Sequence, residues 1–401
     1  MNNFLIIGNG FDLYHGLPTR YTDFLKFTKY WEMFYTKYKL HRLIDIGIIK
    51  EPFSVKLGKK GEIIEDSIED FYQHAYCYND GNIKYLNNNL IHNTWIKYFE
   101  RTEYKKEGWI DFEKEIERVL FIVDDYYENE LPQLNKKIPL NVISNDKKVI
   151  LELFQPNGSN ILNQKVQHTT NYSLNRQKQK HLILEFMKSQ LDNLIECFRL
   201  YLLEFVSNIK IDVFSPQIDK LHSFKLLSFN YTSTFNVIYK EKIQDIHQIH
   251  GSIENKNLIM GIRDDFTRSL DYIYFQKYFQ RIQKRTGDYY KEWFNYDEEV
   301  KSEQELEYNY PSVFIMGHSL DKTDKEILKL FIDAEYTVTI FFHNQLAYEQ
   351  QVINLIDMFG KEKIINKVSK RKIIFEELQP PKFLHQRERK DLSNINISEL
   401  I

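Results

Sequence analysis

Phe4-Leu5-Ile6-Ile7-Gly8-Asn9-Gly10-Phe11-Asp12 decides how this chain is read. Phe4 to Ile7 is a short, unbroken apolar run with no polar face to offer water. Such a run reads as a strand buried on both sides, the kind found in parallel sheets. It stops at Gly8-Asn9-Gly10, where two glycines permit a tight turn and let backbone N–H groups approach a phosphate. Asp12 follows, with two readings open: a helix cap, or a carboxylate that binds ribose hydroxyls. The third glycine stands at Gly16 and not at position 13, so this is not the dinucleotide fingerprint.

Outward from this strand, the glycine turn Gly16-Leu17-Pro18 precedes Thr22-Asp23-Phe24-Leu25, which open a helix predicted to run to about Tyr38. Up to about residue 215, helical patterns alternate with polar stretches rich in Asn and Lys. Trp109, Phe112, Ile116, Leu120 and Val123 share one helical face. Leu184, Met187, Leu191, Leu194, Phe198, Leu202 and Phe205 do the same in a longer helix predicted over 179–207. The stretch 155–175 is mostly polar and reads as a loop.

After Ser215-Pro216 short strands alternate with helices. Strands are predicted at 224–228, 246–249, 257–260, 312–316, 337–342 and near Ile373, and helices at 324–333 and 346–359, with a charged, aromatic helical stretch at 263–308. This alternation predicts an open, largely parallel sheet. Between the first strand and the others lies a stretch, 26–215, of about 190 residues, too many for a structureless loop. The expected fold is therefore α/β: a Rossmann-like core from residues 1–25 and 216–376, a mostly helical insertion at 26–215, and a C-terminal tail at 377–401.

Composition narrows the function. The 401 residues are 42% hydrophobic, enough for a sizeable core, and the formal net charge is -3. With no global basic field, nucleic-acid binding is disfavoured. The run Lys370-Arg371-Lys372 leads into the last strand and reads as its solvated approach. Two distant cysteines, Cys77 and Cys197, make no disulfide framework and fit a reducing compartment. The N terminus lacks the pattern of a signal peptide, and no window approaches a membrane span. A cytoplasmic protein without membrane contact is expected.

Every polar signal lies just after a predicted strand: Gly8-Asn9-Gly10, Asn230-Tyr231, His250-Gly251 and Gly317-His318-Ser319. In an open parallel sheet, ligands bind outside the carboxyl ends of the strands, so these signals should converge. His247 and His250 fall on opposite faces of a strand, and no further ligands complete a zinc set, so no metal is expected. His250 is a general-base candidate. Asn230 can orient a water or a ribose hydroxyl without adding charge. Asp111 reads as a helix cap, and Glu113 with Glu117 reads as a solvated face. In Ser319-Leu320-Asp321-Lys322-Thr323-Asp324, capping accounts for some polar groups and ribose contacts for others.

Leu5-Ile6-Ile7-Gly8-Asn9-Gly10-Phe11-Asp12 with His15-Gly16-Leu17-Pro18-Thr19 resembles the AbiH family of bacterial phage abortive-infection proteins. Trp109-x-Asp111-Phe112-Glu113, Phe229-Asn230-Tyr231-Thr232, His250-Gly251 and Gly317-His318-Ser319-Leu320-Asp321 look like that family's later motifs. The resemblance implies antiviral defence. A more distant resemblance is to sirtuin-like proteins, including NAD-hydrolysing domains of other defence systems. It implies NAD as ligand or substrate, with Asn230 on the nicotinamide side, His250 catalytic, and Gly317 and Ser319 on the ribose side; Asp321, in the polar run that follows, is a candidate for a further ribose contact. The loop side would supply Gly8, Asn9, Gly10, Asp12, Gly16 and Arg20. Asp12 departs from the neutral Ser usual in those proteins, and a carboxylate beside a pyrophosphate is repulsive. Arg20 is only a shifted counterpart of their arginine. No four-cysteine module is present, which disfavours protein deacetylation.

Three functions follow, in order: hydrolysis of NAD or a related nucleotide at the N-glycosidic bond, a nucleotide-sensing module without chemistry, and a nuclease. The expected partner is a nucleotide ligand; a homo-oligomer and a phage-derived trigger are left open.

Overall fold

The computed structural model describes residues 3–44, 81–101, 111–130, 145–154, 172–264, 266, 269–294 and 311–385. Cys77, Trp109 and residues 155–171 of the loop expected at 155–175 lie outside the described residues; residues 172–175 are not loop but the first turn of the helix Tyr172–Tyr201. The chain divides into two compact units: Met1–Thr19 with Val206–Leu258 and Arg281–Ile401, and Arg20–Phe205 with Ile259–Gln280.

Among the described residues the strands lie in the first unit: β1 (Asn3–Ile7), β2 (Val213–Phe214), β3 (Phe224–Ser228), β4 (Ile243–Gln248), β5 (Ser312–Met316), β6 (Thr337–Phe342), β7 (Ile373–Glu377) and β8 (Lys382–Phe383). β2 and β8 form a small antiparallel pair. The other six form one parallel sheet in the order β4-β3-β1-β5-β6-β7. With β2 set aside, this is the doubly wound order 3-2-1-4-5-6, whose direction reverses beside β1. The first strand thus sits at the centre, between β3 and β5. At its end Ile7 lies beside Ser228 and Met316.

Burial explains that central place. Phe4 and Ile6 join Val313, Ile315, Ile327, Leu328 and Phe331 on one face, while Leu5 and Ile7 join Phe224, Leu226, Phe235 and Met316 on the other. Alternate side chains leave a strand on opposite faces, and β1 has an apolar layer on each. The helix Lys325–Asp333 connects β5 to β6. Two helices, Gln345–Phe359 and Lys361–Ser369, connect β6 to β7. The sequence reading holds only the first; Gly360 at φ 88° separates them.

Residues 257–260 do not form the expected strand. The Gln280 carboxamide takes the Met260 N–H at 3.1 Å and donates to the Met260 carbonyl at 3.0 Å, while the Ile262 N–H donates to Phe275 O at 2.7 Å. A side chain and a turn satisfy this buried segment, so no ladder is needed.

The second unit is helical, with Tyr21–Ile44, Gly81–Asn89, Thr94–Arg101, Phe112–Asp125, Asn145–Leu153 and Tyr172–Tyr201. An aromatic core holds it together: the Phe112 ring stacks on Tyr21 at 4.2 Å and on Phe99 at 4.1 Å. Asp111 caps its helix, accepting from the Glu113 and Lys114 N–H groups. Glu113 and Glu117 are not a bare solvated face. They pair with Lys277 at 2.8 Å and Arg263 at 3.1 Å, which ties Ile259–Gln280 to the helices of this unit. No helix among the described residues is long and apolar enough to cross a membrane.

Candidate active site

The carboxyl ends of β1, β3, β4 and β5 each run into a polar loop. Backbone bonds lock these loops together. Gly8 N–H donates to Met316 O at 3.1 Å, Gly10 N–H to Gly317 O at 2.8 Å, Phe229 N–H to Ile7 O at 2.9 Å, and Ile249 N–H to Ser228 O at 2.9 Å. The β1 and β5 loops meet backbone on backbone: a Cβ on Gly10 would stand 2.7 Å from the Gly317 Cα, and one on Gly317 2.1 Å from the Phe11 N. Gly317 also has φ 69°, in the left-handed region that favours glycine.

Asp12 lies one turn into the short helix Asn9–Tyr14, which places it inside the protein and not at a cap. It is 2% exposed. The Thr232 hydroxyl donates to its Oδ2 at 2.5 Å, and the Thr234 hydroxyl donates to Thr232 in turn at 3.0 Å. Burial pushes the Asp12 carboxyl up to about 6, against the lowering effect of donors on Thr232, Thr234 and Asn230. Its second oxygen, Oδ1, has no hydrogen-bond partner among the described residues.

Asn230 follows β3 and is 4% exposed. The Ser228 hydroxyl accepts from its backbone N–H at 3.1 Å. The Asn230 amide lies close enough to Asp12 to lower its carboxyl's pKa, yet neither its Oδ1 nor its Nδ2 makes a hydrogen bond of good geometry among the described residues. A buried carboxamide left unpaired costs about 1–3 kcal/mol per group.

His250 follows β4, with Nε2 3.4 Å from Asp324 Oδ1. The other oxygen of Asp324 lies 3.5 Å from His318 Nε2. His318 Nδ1 accepts the Leu320 N–H at 2.9 Å, so the ring proton of a neutral His318 sits on Nε2, facing Asp324. One buried carboxylate is thus shared between two imidazoles. Phe229 lies edge-on to both rings, with centroids 5.3 Å from His250 and 4.3 Å from His318. The two side chains flanking Asn230, Phe229 and Tyr231, both touch the His250 ring.

The sequence-predicted residues sort by task. Asp12, Asn230 and His250 stand in the loops at this edge, each buried. Gly8, Gly10 and Gly317 make the loop contact. Asn9 is held by the Thr19 hydroxyl at 2.6 Å. Gly16 ends the short helix at φ 85°, and Leu17 N–H closes it by donating to Asp12 O at 3.0 Å. Ser319 is exposed, and its carbonyl accepts from Asn354 at 2.9 Å. Asp321 caps the next turn through the Thr323 N–H at 3.1 Å. Arg20 begins the other unit, where its N–H donates to the Asp23 carboxylate at 3.1 Å.

In the sequence Asp324 reads only as part of a polar helix start, His318 and Thr232 only as members of motifs, and Thr234 carries no signal. His15 is buried as well: its ring contacts Phe11 O at 2.7 Å and the Tyr239 hydroxyl at 3.3 Å, and burial lowers its pKa to about 4. It is a neutral core residue. His247 lies against Tyr289 and Tyr290, away from the His250–Asp324 pair. Among the described residues, no three His, Cys, Asp or Glu side chains gather as a metal set.

The family model described as "Bacteriophage abortive infection AbiH" matches residues 4–343. No similar curated protein and no similar solved structure was found. The match runs from β1 through β6 and takes in all four loops, so the chain belongs to the AbiH family of bacteriophage abortive-infection proteins.

Proposed function

We propose that this AbiH protein hydrolyses NAD or a related nucleotide at the N-glycosidic bond, and that Asn230 and His250 do the chemistry. The observation that carries this reading is the Asn230 carboxamide, buried with neither polar atom in a hydrogen bond of good geometry, between Phe229 and Tyr231, which pack against the ring of His250, whose Nε2 lies 3.4 Å from Asp324. Perturbed and unsatisfied groups of this kind cluster at functional sites. Their position after strands of a doubly wound parallel sheet supports the reading, because such folds bind ligands outside the carboxyl ends of the strands.

The reaction needs little acid. The bond between the ribose C1′ and the pyridinium nitrogen breaks heterolytically, its electron pair leaves with nicotinamide, and nicotinamide departs neutral. Water adds to the oxocarbenium-like C1′ and loses its proton to His250. Asn230 accepts from that water or from a ribose hydroxyl and adds no charge. Asp324 orients the His250 ring and balances the imidazolium that forms. No metal takes part in these steps.

The test is nicotinamide release from NAD by the wild type, Asn230→Ala and His250→Ala. Loss of a positioned base or orienting group costs about a hundredfold or more. Asn230→Ala deletes a buried amide with no partner, so its melting temperature is expected to hold or rise. Folded variants with full activity overturn the assignment. A wild type that binds NAD and releases no nicotinamide makes the protein a sensor of nucleotides and not a hydrolase.

A further inference from the structure

The glycine loop after β1 is already occupied by the protein itself. Three of its N–H groups are committed: Gly8 to Met316 O, Gly10 to Gly317 O, and Phe11 to Gly8 O at 2.8 Å. Its glycines are needed for the approach of the β5 loop, because a Cβ on Gly8 or Gly10 would stand 2.8 or 2.7 Å from the Gly317–His318 backbone. Close approach of two loops accounts for both glycines without an anion.

The polar atoms left over beside this loop are of another kind. They are Asp12 Oδ1, Asn230 Oδ1 and Asn230 Nδ2, on side chains more than nine-tenths buried: two acceptor atoms and one donor atom that lie near enough for Asn230 to lower the Asp12 pKa but form no hydrogen bond of good geometry with each other. A phosphate presents only acceptors and sets its charge against the Asp12 carboxylate, which is a repulsion in a low-dielectric place. A vicinal diol presents two O–H donors for the two acceptors, and its oxygens accept from Nδ2. Hydroxyl donors on Asp12 also offset the burial that raises its pKa.

We propose that Asp12 and Asn230 receive the vicinal hydroxyls of a ribose, and that no phosphate sits on Gly8–Gly10. This rests on the nucleotide reading above and names the part of the ligand that faces β1. Because Asn230 is the group assigned to the scissile bond, the ribose is the one that carries the leaving base.

The experiment is calorimetric titration of the full chain, in the His250→Ala background so that ligand persists. The titrants are NAD and the NAD analogue lacking the 2′-hydroxyl of the nicotinamide-side ribose, each with and without Asp12→Asn; inorganic pyrophosphate serves as competitor. Losing a hydrogen bond to a charged group weakens binding about tenfold to a hundredfold. The analogue is therefore expected to bind that much more weakly when Asp12 is present. With Asn at position 12 the gap should close to about twofold, and pyrophosphate should not compete in either protein. Equal binding of NAD and the analogue overturns the proposal, as does a gap that survives Asp12→Asn, or pyrophosphate competition that strengthens in Asp12→Asn. The two readings fail separately. Nicotinamide release by the wild type with no 2′-hydroxyl preference removes the diol and keeps the hydrolase; preference without release does the reverse. If NAD does not bind, adenosine and guanosine replace it against their 2′-deoxy forms, and absence of any preference for the ribo forms overturns the proposal.

Discussion

Replacing Asp12 by Asn should stabilise the fold, and the gain should depend on pH in a way fixed by the burial of one carboxyl. Burial raises its pKa from 3.8 to about 6 in the folded chain. Between these values the folded state binds a proton that the unfolded state has already lost. Stability therefore falls as pH rises through this window, and above about 6 the whole cost is present. Two units at 1.36 kcal/mol each make that cost about 3 kcal/mol, an upper limit for the gain from removing the charge. The substitution keeps the shape, an Asn oxygen can still accept from Thr232, and a new N–H group can donate to the unpaired Asn230 Oδ1. Urea denaturation of wild type and Asp12→Asn, followed by circular dichroism at pH 4, 6 and 8, reads the effect directly. With a urea slope of about 3 kcal/mol/M, the midpoints should differ by about 1 M at pH 8 and converge at pH 4. A difference that stays constant across this range, or a variant less stable at pH 8, refutes the argument: the carboxylate would then be better satisfied than its surroundings indicate. The gain is expected together with weaker ribose binding, as when a binding group is held at a cost to the fold.

Two further outcomes follow from the geometry. Asp324→Asn is expected to lower the rate of nicotinamide release about a hundredfold with KM little changed, and to shift the pH–rate profile, because it leaves His250 and His318 without their shared carboxylate; an unshifted profile means that Asp324 serves packing alone. Gly317→Ala should cost about 2–5 kcal/mol, from left-handed strain and a collision 2.1 Å from the Phe11 N, whereas Gly16→Ala, also at positive φ but facing open space, should cost about 1 kcal/mol; urea midpoints of the two variants check the ranking.

The sheet was legible because its residues are uniform in kind. Phe4–Ile7, Ser312–Met316 and Thr337–Phe342 are apolar runs closed by polar turns, and each became the strand its pattern predicts. Where the pattern misled, a side chain had taken over a backbone task. Residues 257–260 look like the other runs, yet Gln280, twenty residues away, supplies the hydrogen bonds that a neighbouring strand would have given. The helix Lys361–Ser369 escaped notice because Gly360 both ends one helix and begins the next. Nothing in local periodicity separates such a break from the start of a loop.

The candidate site was legible as a cluster of strand-end loops more than as a set of roles. Strand-end loops announce where a parallel sheet can bind, and Asn230 and His250 stand in two of them. Spacing along the chain says nothing about which carboxylate turns inward, however. Asp321 and Asp324 belong to one short polar run. The structure gives the first to a Thr323 N–H at the surface of a turn and the second to two buried imidazoles. The same holds at the other loop, where Gly8-Asn9-Gly10 reads as a phosphate turn and Asp12 as a local cap or ribose contact. Packing against Gly317 uses up the glycines, and burial beside Thr232 leaves Asp12 with an oxygen unpaired. In both loops the informative fact is the residual, the polar atom that the fold pays to bury and does not satisfy. That quantity is fixed by three-dimensional neighbours such as Thr232, more than 200 residues away in the chain, so it could not have been found in the loop's own sequence. It is also why the ligand is better argued from Asp12 and Asn230 than from the glycines that first drew attention to the loop.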